Sequence, residues 1–237
     1  FQCAASLDRD TDIKYNFSEK EIAITCASHY GEEEQIEAVR SILKKINLTE
    51  HDLECGFHFP LNKQTKSKLY SKERNPSNIY NNCSGKHSGL LALIKNLDLP
   101  IKGYITHTHP IHQYINNYIE KVAHVKTKVF AVDGCSLPTP YLSLFSLANM
   151  YMELISAPKE TALYKVFSAM TKYPEMVSGE NGFDTGFMKN LNGRAIAKGG
   201  AEGMQTLAIK TGEKEYISLA LKVSDGNHRG NYISCIT

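Results

Sequence analysis

The sequence predicts a mixed α/β protein of the α+β kind, in which helices cover a largely antiparallel sheet. In the central part of the 237-residue chain, apolar residues recur at helical spacing, most clearly Ile111, Tyr114, Ile115, Tyr118, Ile119 and Val122. Near the C-terminus three strand-like runs, 194–198, 204–210 and 216–223, follow one another without helices between them, so sequence neighbours are expected to pair antiparallel. A hydrophobic content of 42% supports a sizeable core. Neither an internal repeat nor a domain boundary is evident, and residues 1–237 read as one domain.

Taken in order, residues 32–46 form an amphipathic helix, with Ile36, Val39, Leu43 and Ile46 on one face and Glu32, Glu33 and Glu34 at its positive end. A short helical turn capped by Thr49 follows. Residues 60–80 are polar and irregular and read as a long surface loop. A helix over 86–97 carries Leu90, Leu91, Leu93, Ile94 and Leu97, and Leu99-Pro100 ends it. Gly103-Tyr-Ile-Thr reads as a short strand before His107-Thr-His109-Pro110, where Pro110 starts the next helix. Lys128–Val132 is a β-branched and aromatic strand leading into Asp133-Gly134-Cys135, with Pro138 and Pro140 as breakers beyond. Helices are expected over about 141–156, 160–172 and 184–191, before the three terminal strands.

Charge is nearly balanced, 27 basic against 25 acidic residues, which argues against a nucleic-acid or lipid surface. The densest basic stretch, Lys63, Lys66, Lys68, Lys72 and Arg74, reads as solvated loop. No stretch approaches the roughly 20 apolar residues of a membrane span. Six scattered cysteines fit reduced thiols in a cytoplasm better than a disulfide scaffold. The chain begins at Phe1 without a methionine and stops at Ile236-Thr237 without a helix-stop signal, so both ends are expected to be cut.

The densest chemistry lies in Asn81-Asn82-Cys83-Ser84-Gly85-Lys86-His87, a loop opening a helix. Unpaired N–H groups and the dipole at a helix N-terminus favour a thiolate at Cys83 and a neutral amine at Lys86. Three apart on a first turn, these two side chains share a face. With Cys135 they would offer zinc two thiolates and an amine, although isolated buried cysteines are commonly just small hydrophobes. His107 and His109 offer a competing metal pair, though two surface-loop histidines are commonplace. Ser28 stands among small residues in Thr25-Cys26-Ala27-Ser28-His29, just before a helix. Lys198 opens Lys-Gly-Gly-Ala-Glu-Gly, where glycines let backbone approach a ligand. A neutral lysine there could act as base for a serine, and an exposed turn lysine is the plainer alternative.

Seven stretches taken together carry a resemblance. They are Cys-Ala-Ser-His-Tyr-Gly-Glu (26–32), Leu-Glu-Cys-Gly (53–56), Asn-Asn-Cys-Ser-Gly-Lys-His-Ser-Gly (81–89), His-Pro (109–110), Val-Asp-Gly-Cys (132–135), Met-Thr-Lys-Tyr-Pro-Glu-Met-Val (170–177) and Lys-Gly-Gly-Ala-Glu-Gly (198–203). In that order the chain resembles the rhizobial-type L-asparaginase family, also called asparaginase II. The resemblance implies a serine β-lactamase-like fold and hydrolysis of L-asparagine to L-aspartate and ammonia by two serine–lysine pairs. It implies that Ser28 and Lys198 form the second pair, that Cys83, Lys86 and Cys135 hold zinc, and that His87 and Asp133 lie near the substrate, with Asp133 suited to its α-ammonium. A homodimer is implied as well.

In relatives the first pair comes from an Arg-Ser-x-x-Lys-Pro-like segment placed just before Phe1-Gln2, and the sequence continues past Asp225-Gly226, so the sheet is expected to be incomplete at both ends. His112 stands where relatives are expected to carry a different polar residue. Three readings follow. One is an asparaginase-like amidohydrolase acting on a small molecule, with zinc orienting the substrate. Another is a catalytically inactive fragment of such an enzyme. The third is a metal-dependent amidohydrolase using His107 and His109.

Overall fold

A computed structural model describes residues 1–235; Ile236 and Thr237, where the missing helix-stop signal was expected, lie outside the described residues. The chain opens with three short helices, α1 (Gln2–Leu7), α2 (Thr11–Lys14) and α3 (Glu19–Thr25), followed by α4 (Glu33–Lys45). Then come α5 (Lys63–Ser71), α6 (Ser84–Asn96) and α7 (Pro110–Ala123). A hairpin of β1 (Phe130–Val132) and β2 (Pro138–Pro140) leads to α8 (Leu144–Ile155), α9 (Ala162–Lys172), α10 (Pro174–Ser178) and α11 (Phe183–Asn190). The strands β3 (Ala195–Gly200), β4 (Met204–Lys210) and β5 (Tyr216–Lys222) form an antiparallel meander, and α12 (His228–Ser234) follows. This is a mixed helix and antiparallel-sheet architecture without a closed barrel among the described residues. No helix among them is long and apolar enough to cross a membrane.

Local chemistry explains most of the elements. Ser18 caps α3 in a reciprocal capping box with Glu21. Helix α4 buries Ile36, Val39, Ile42 and Leu43 and leaves its charged face outward. Pro110 occupies the first turn of α7, whose N-cap His109 accepts the Ile111 N–H. Helix α6 is different: Leu90 to Ile94 are all buried, as are Ser84, Gly85, His87, Ser88 and Gly89, so it is a core helix packed by α1, α3 and α4. Helix α8 lies across β4 and β5, and α11 lies against β3. Ala195, Ile196, Ala197, Leu207 and Ala208 are all buried, and because consecutive residues point to opposite faces the sheet is covered on both sides there.

Four sequence expectations change. Within 60–80 a helix forms, α5, because Asn62 caps it and Leu69 anchors it; one buried apolar residue is too weak a periodic signal to read. The segment around Tyr104 is a series of turns, not a strand, since Gly103 takes φ +73° and Tyr104 turns its whole side chain into the core. Pro138 and Pro140 lie within β2 rather than breaking the chain, as proline can on a strand paired along one side only. Helix α10 and the three opening helices were not assigned from the sequence, being too short for a periodic pattern.

The contact that sets the site is the approach of α6 to the end of α3. A Cβ built on Gly85 would lie 2.2 Å from the Ile24 carbonyl oxygen, and one on Gly89 would lie 2.7 Å from Thr25 Cγ2. Neither neighbour can yield readily, one being backbone and the other a buried β-branched side chain. Gly85→Ala should therefore cost about 2 kcal/mol or more in a urea titration, and an unchanged midpoint would show that the two helices separate freely.

Candidate functional site

Helix α3 ends at Cys26, and the chain turns so that the Ser28 N–H donates to the Val177 carbonyl and the His29 N–H to that of Asn82. Ser28 is half-buried. Its hydroxyl meets Lys198, which projects from the end of β3 with Nζ 2.7 Å from Ser28 Oγ and 2.6 Å from the Gly199 carbonyl oxygen. Burial pushes the Lys198 amine below its ordinary value, although Asp184 and Cys83 pull it upward. A lysine with a lowered affinity for its proton, in contact with a hydroxyl, is the arrangement a serine nucleophile requires.

Neighbours hold that pair in place. Buried Asp184 accepts the Gly199 N–H at 2.8 Å and the Gln205 side-chain amide at 2.8 Å, tying α11 to both strands beside the lysine. Thr206, opposite Lys198 in the ladder, donates its hydroxyl to the Lys198 carbonyl. His29 does not face Ser28. It is wholly buried, its Nδ1 accepts the Gly31 N–H, and its Nε2 lies 2.7 Å from Ser84 Oγ. The Ser84 hydroxyl itself donates to the Ile79 carbonyl, so the His29 proton resides on Nε2 and points at Ser84. Burial, with His58 nearby, lowers the imidazole pKa to about 3.

The second group gathers at the start of α6. Cys83 ends the loop that His58 and Asn81 brace through the N–H groups of Asn82 and Cys83. The β1–β2 turn brings Asp133 and Cys135 to it. The two sulfurs and an Asp133 carboxylate oxygen lie within 4.8 Å of one another, and Lys86 Nζ is 3.3 Å from Asp133 Oδ2. The hydrogen bond from Cys135 lowers the Cys83 thiol to about 7 against the penalty of burial, while Cys135 itself is pushed well up. Burial alone would lower Lys86, but Cys83, Cys135 and Asp133 outweigh it and hold the amine above its ordinary value. Burial likewise opposes ionisation of Asp133, and Lys86 and Cys135 reverse that, leaving the carboxyl below its usual range.

His87 is fully buried. Tyr104 accepts the Glu54 N–H at its hydroxyl oxygen and lies 2.7 Å from His87 Nδ1, so its proton goes to that nitrogen. The imidazole is kept neutral mainly by burial, and its Nε2, which then carries the ring proton, lies beside the Cys135 sulfur. Two sulfurs and a carboxylate thus converge with the Lys86 amine beside them, a set that could hold a metal ion.

The competing histidine pair does not converge. His109 uses Nδ1 to cap α7 and Nε2 on the Pro100 carbonyl at 2.9 Å, while His107 is exposed and packs edge-on against Phe130. Its helical partner His112 holds the Tyr104 carbonyl at 2.6 Å. The sequence reading missed Asp184, Tyr104 and the structural part of His29. A buried carboxylate near the start of a helix and a tyrosine after a glycine carry no local signal, because their partners lie elsewhere in the chain.

The family model described as L-asparaginase II matches residues 1–237. No curated protein sequence matches the chain.

The buried neutral His29 gives a pH signature. Its pKa is about 3 in the folded chain against an ordinary 6.5, so below pH 6.5 the unfolded chain binds a proton that the folded chain refuses. Stability then falls as pH drops through that window, by at most about 1.4 kcal/mol per unit. Between pH 7 and pH 5, wild type should lose roughly 2 kcal/mol more than His29→Gln in urea titrations; parallel losses would refute the assignment.

Proposed function

We propose that this chain, which belongs to the L-asparaginase II family, is an amidohydrolase that converts L-asparagine and water to L-aspartate and ammonia, with Ser28 as nucleophile. The observation that carries the reading is the 2.7 Å contact between Ser28 Oγ and Lys198 Nζ, made by a lysine whose proton affinity burial has lowered. In the same reading, the three-stranded meander and its covering helices are the centre of a serine β-lactamase-like fold.

The chemistry follows from the pair. Lys198, in its neutral form, takes the Ser28 proton as Oγ attacks the side-chain amide carbon, and returns it to the nitrogen that leaves as ammonia. Water then attacks the resulting serine ester by the reverse proton path, freeing aspartate. Asp184 keeps the Gly199 N–H and the strand end in register, so Nζ retains both Ser28 and the Gly199 carbonyl as partners. Asp133, ionised and beside the cluster, is the group suited to the substrate's α-ammonium.

Cys83, Cys135 and, once a bound metal displaces its proton, Lys86 fit zinc. Tetrahedral zinc–thiolate bonds place two sulfurs about 3.8 Å apart, within the spread of the present cluster. When bound, zinc would supply positive charge that fixes the substrate's orientation. Asp133 then bridges the two groups, since it touches both Lys86 and Cys135.

Lys198→Met should lower kcat for ammonia release by roughly 100- to 10,000-fold with little change in KM, and Ser28→Ala should lower it at least as far. Half the wild-type rate in Ser28→Ala would end the assignment. Because the Lys198 amine lies below its ordinary value of 10.5, the wild-type rate should rise with pH along a limb below that value, and the limb should vanish in Lys198→Met. Elemental analysis of the purified protein should find metal lost in Cys135→Ser and kept when His107 and His109 are both replaced by alanine; the opposite pattern would move the metal to the histidines.

A further inference from the structure

Two cysteines outside the metal cluster converge beside the nucleophile. Cys3, on α1, points its sulfur at the Ile22 carbonyl oxygen at 3.9 Å, and Cys26, which ends α3, points at the same oxygen from 3.5 Å. The two thiols share that acceptor and so lie side by side, and Thr25 Oγ1 lies 2.8 Å from the Cys3 sulfur. Nothing in the proposed hydrolysis uses this pair. A cavity of about 10 Å3 beside it is lined in part by Cys3 and Thr25.

We propose that Cys3 and Cys26 form a reversible disulfide in the presence of hydrogen peroxide, and that this bond switches off the Ser28–Lys198 pair. The two sulfurs differ in the way such a reaction needs. Cys26 is half-buried, so a small oxidant reaches it, whereas Cys3 is buried behind it. The proximity of the two sulfurs lowers the Cys26 thiol and raises that of Cys3, which makes Cys26 the attacking thiolate. The Cys26 thiolate displaces hydroxide from peroxide and becomes a sulfenic acid. The Cys3 thiol then attacks that sulfur, the S–O bond breaks, and water leaves as the disulfide forms. In sum, two thiols and one peroxide give one disulfide and two waters.

Closure matters because Cys26 is two residues from Ser28. A disulfide draws that turn toward α1, while the Ser28 N–H is tied to Val177 and its hydroxyl must stay on Lys198. A displacement of the order of 1 Å at a reacting atom lowers rates by about a hundredfold. The switching half of the proposal rests on the serine–lysine reading above, and the bond itself does not.

The test treats reduced protein with graded peroxide, blocks remaining thiols, and digests without reduction for mass analysis. Wild type should yield a Cys3–Cys26 cross-linked peptide, lose at least tenfold in ammonia release, and recover with dithiothreitol. Cys26→Ala should give no such peptide and keep its rate through the same treatment. Cys3→Ser should over-oxidise at Cys26 and fail to recover. Absence of the cross-linked peptide at doses that modify Cys26 would overturn the bond, and equal inactivation of Cys26→Ala would overturn the switch by placing the damage at Cys83 and Cys135. Reduced protein that releases no ammonia before peroxide is added would instead count against the hydrolase reading, and the switch would fall with it.

Discussion

Helix α6 meets the last turn of α3 with almost nothing between them, and both halves of the site hang on that meeting. Gly85 faces the Ile24 carbonyl and Gly89 faces Thr25 at distances no side chain would allow. The turn after α3 carries Ser28, and the first turn of α6 carries Cys83 and Lys86. The bond from the His29 N–H to the Asn82 carbonyl closes the same junction from the other side. A larger residue at either glycine would push apart the turn that carries Ser28 and the turn that carries Cys83 before it disturbed any candidate side chain.

On that frame, two buried lysines receive opposite treatment. Lys86 stands among two thiols and a carboxylate, and their field holds its proton against the cost of burial. Lys198 has burial as the dominant influence, and its more distant anionic neighbours do not offset it. The same residue type therefore has its proton affinity raised in one place and lowered in the other, with the local balance of burial and acidic groups deciding which. Asp133 stands between the two regimes, since it compensates Lys86 and remains ionised in doing so.

Much of the architecture was legible in the sequence because long apolar faces write themselves at regular intervals. Helices α4 and α7 and the β3–β4–β5 meander fall within a few residues of where periodicity placed them. Helix α5 was illegible because Leu69 alone anchors it, and the Tyr104 turns were misread because a buried tyrosine between apolar residues looks like a strand. The site was legible only through the resemblance of ordered motifs. Ser28 and Lys198 are separated by most of the chain, and spacing cannot say that two such residues touch. Asp184, Tyr104 and the orientation of His29 were beyond reach for the same reason, since each acquires its role from a partner brought by a different element.

A histidine beside a serine invites the thought that it relays the serine's proton. Here the donors run in a single direction: the Gly31 N–H to His29, His29 to Ser84, and Ser84 to the Ile79 carbonyl. A carbonyl has no proton to pass on, so the line is a dead end that can neither collect a proton from Ser28 nor deliver one. The imidazole is thereby insulated from Ser28, whose hydroxyl meets the Lys198 amine instead.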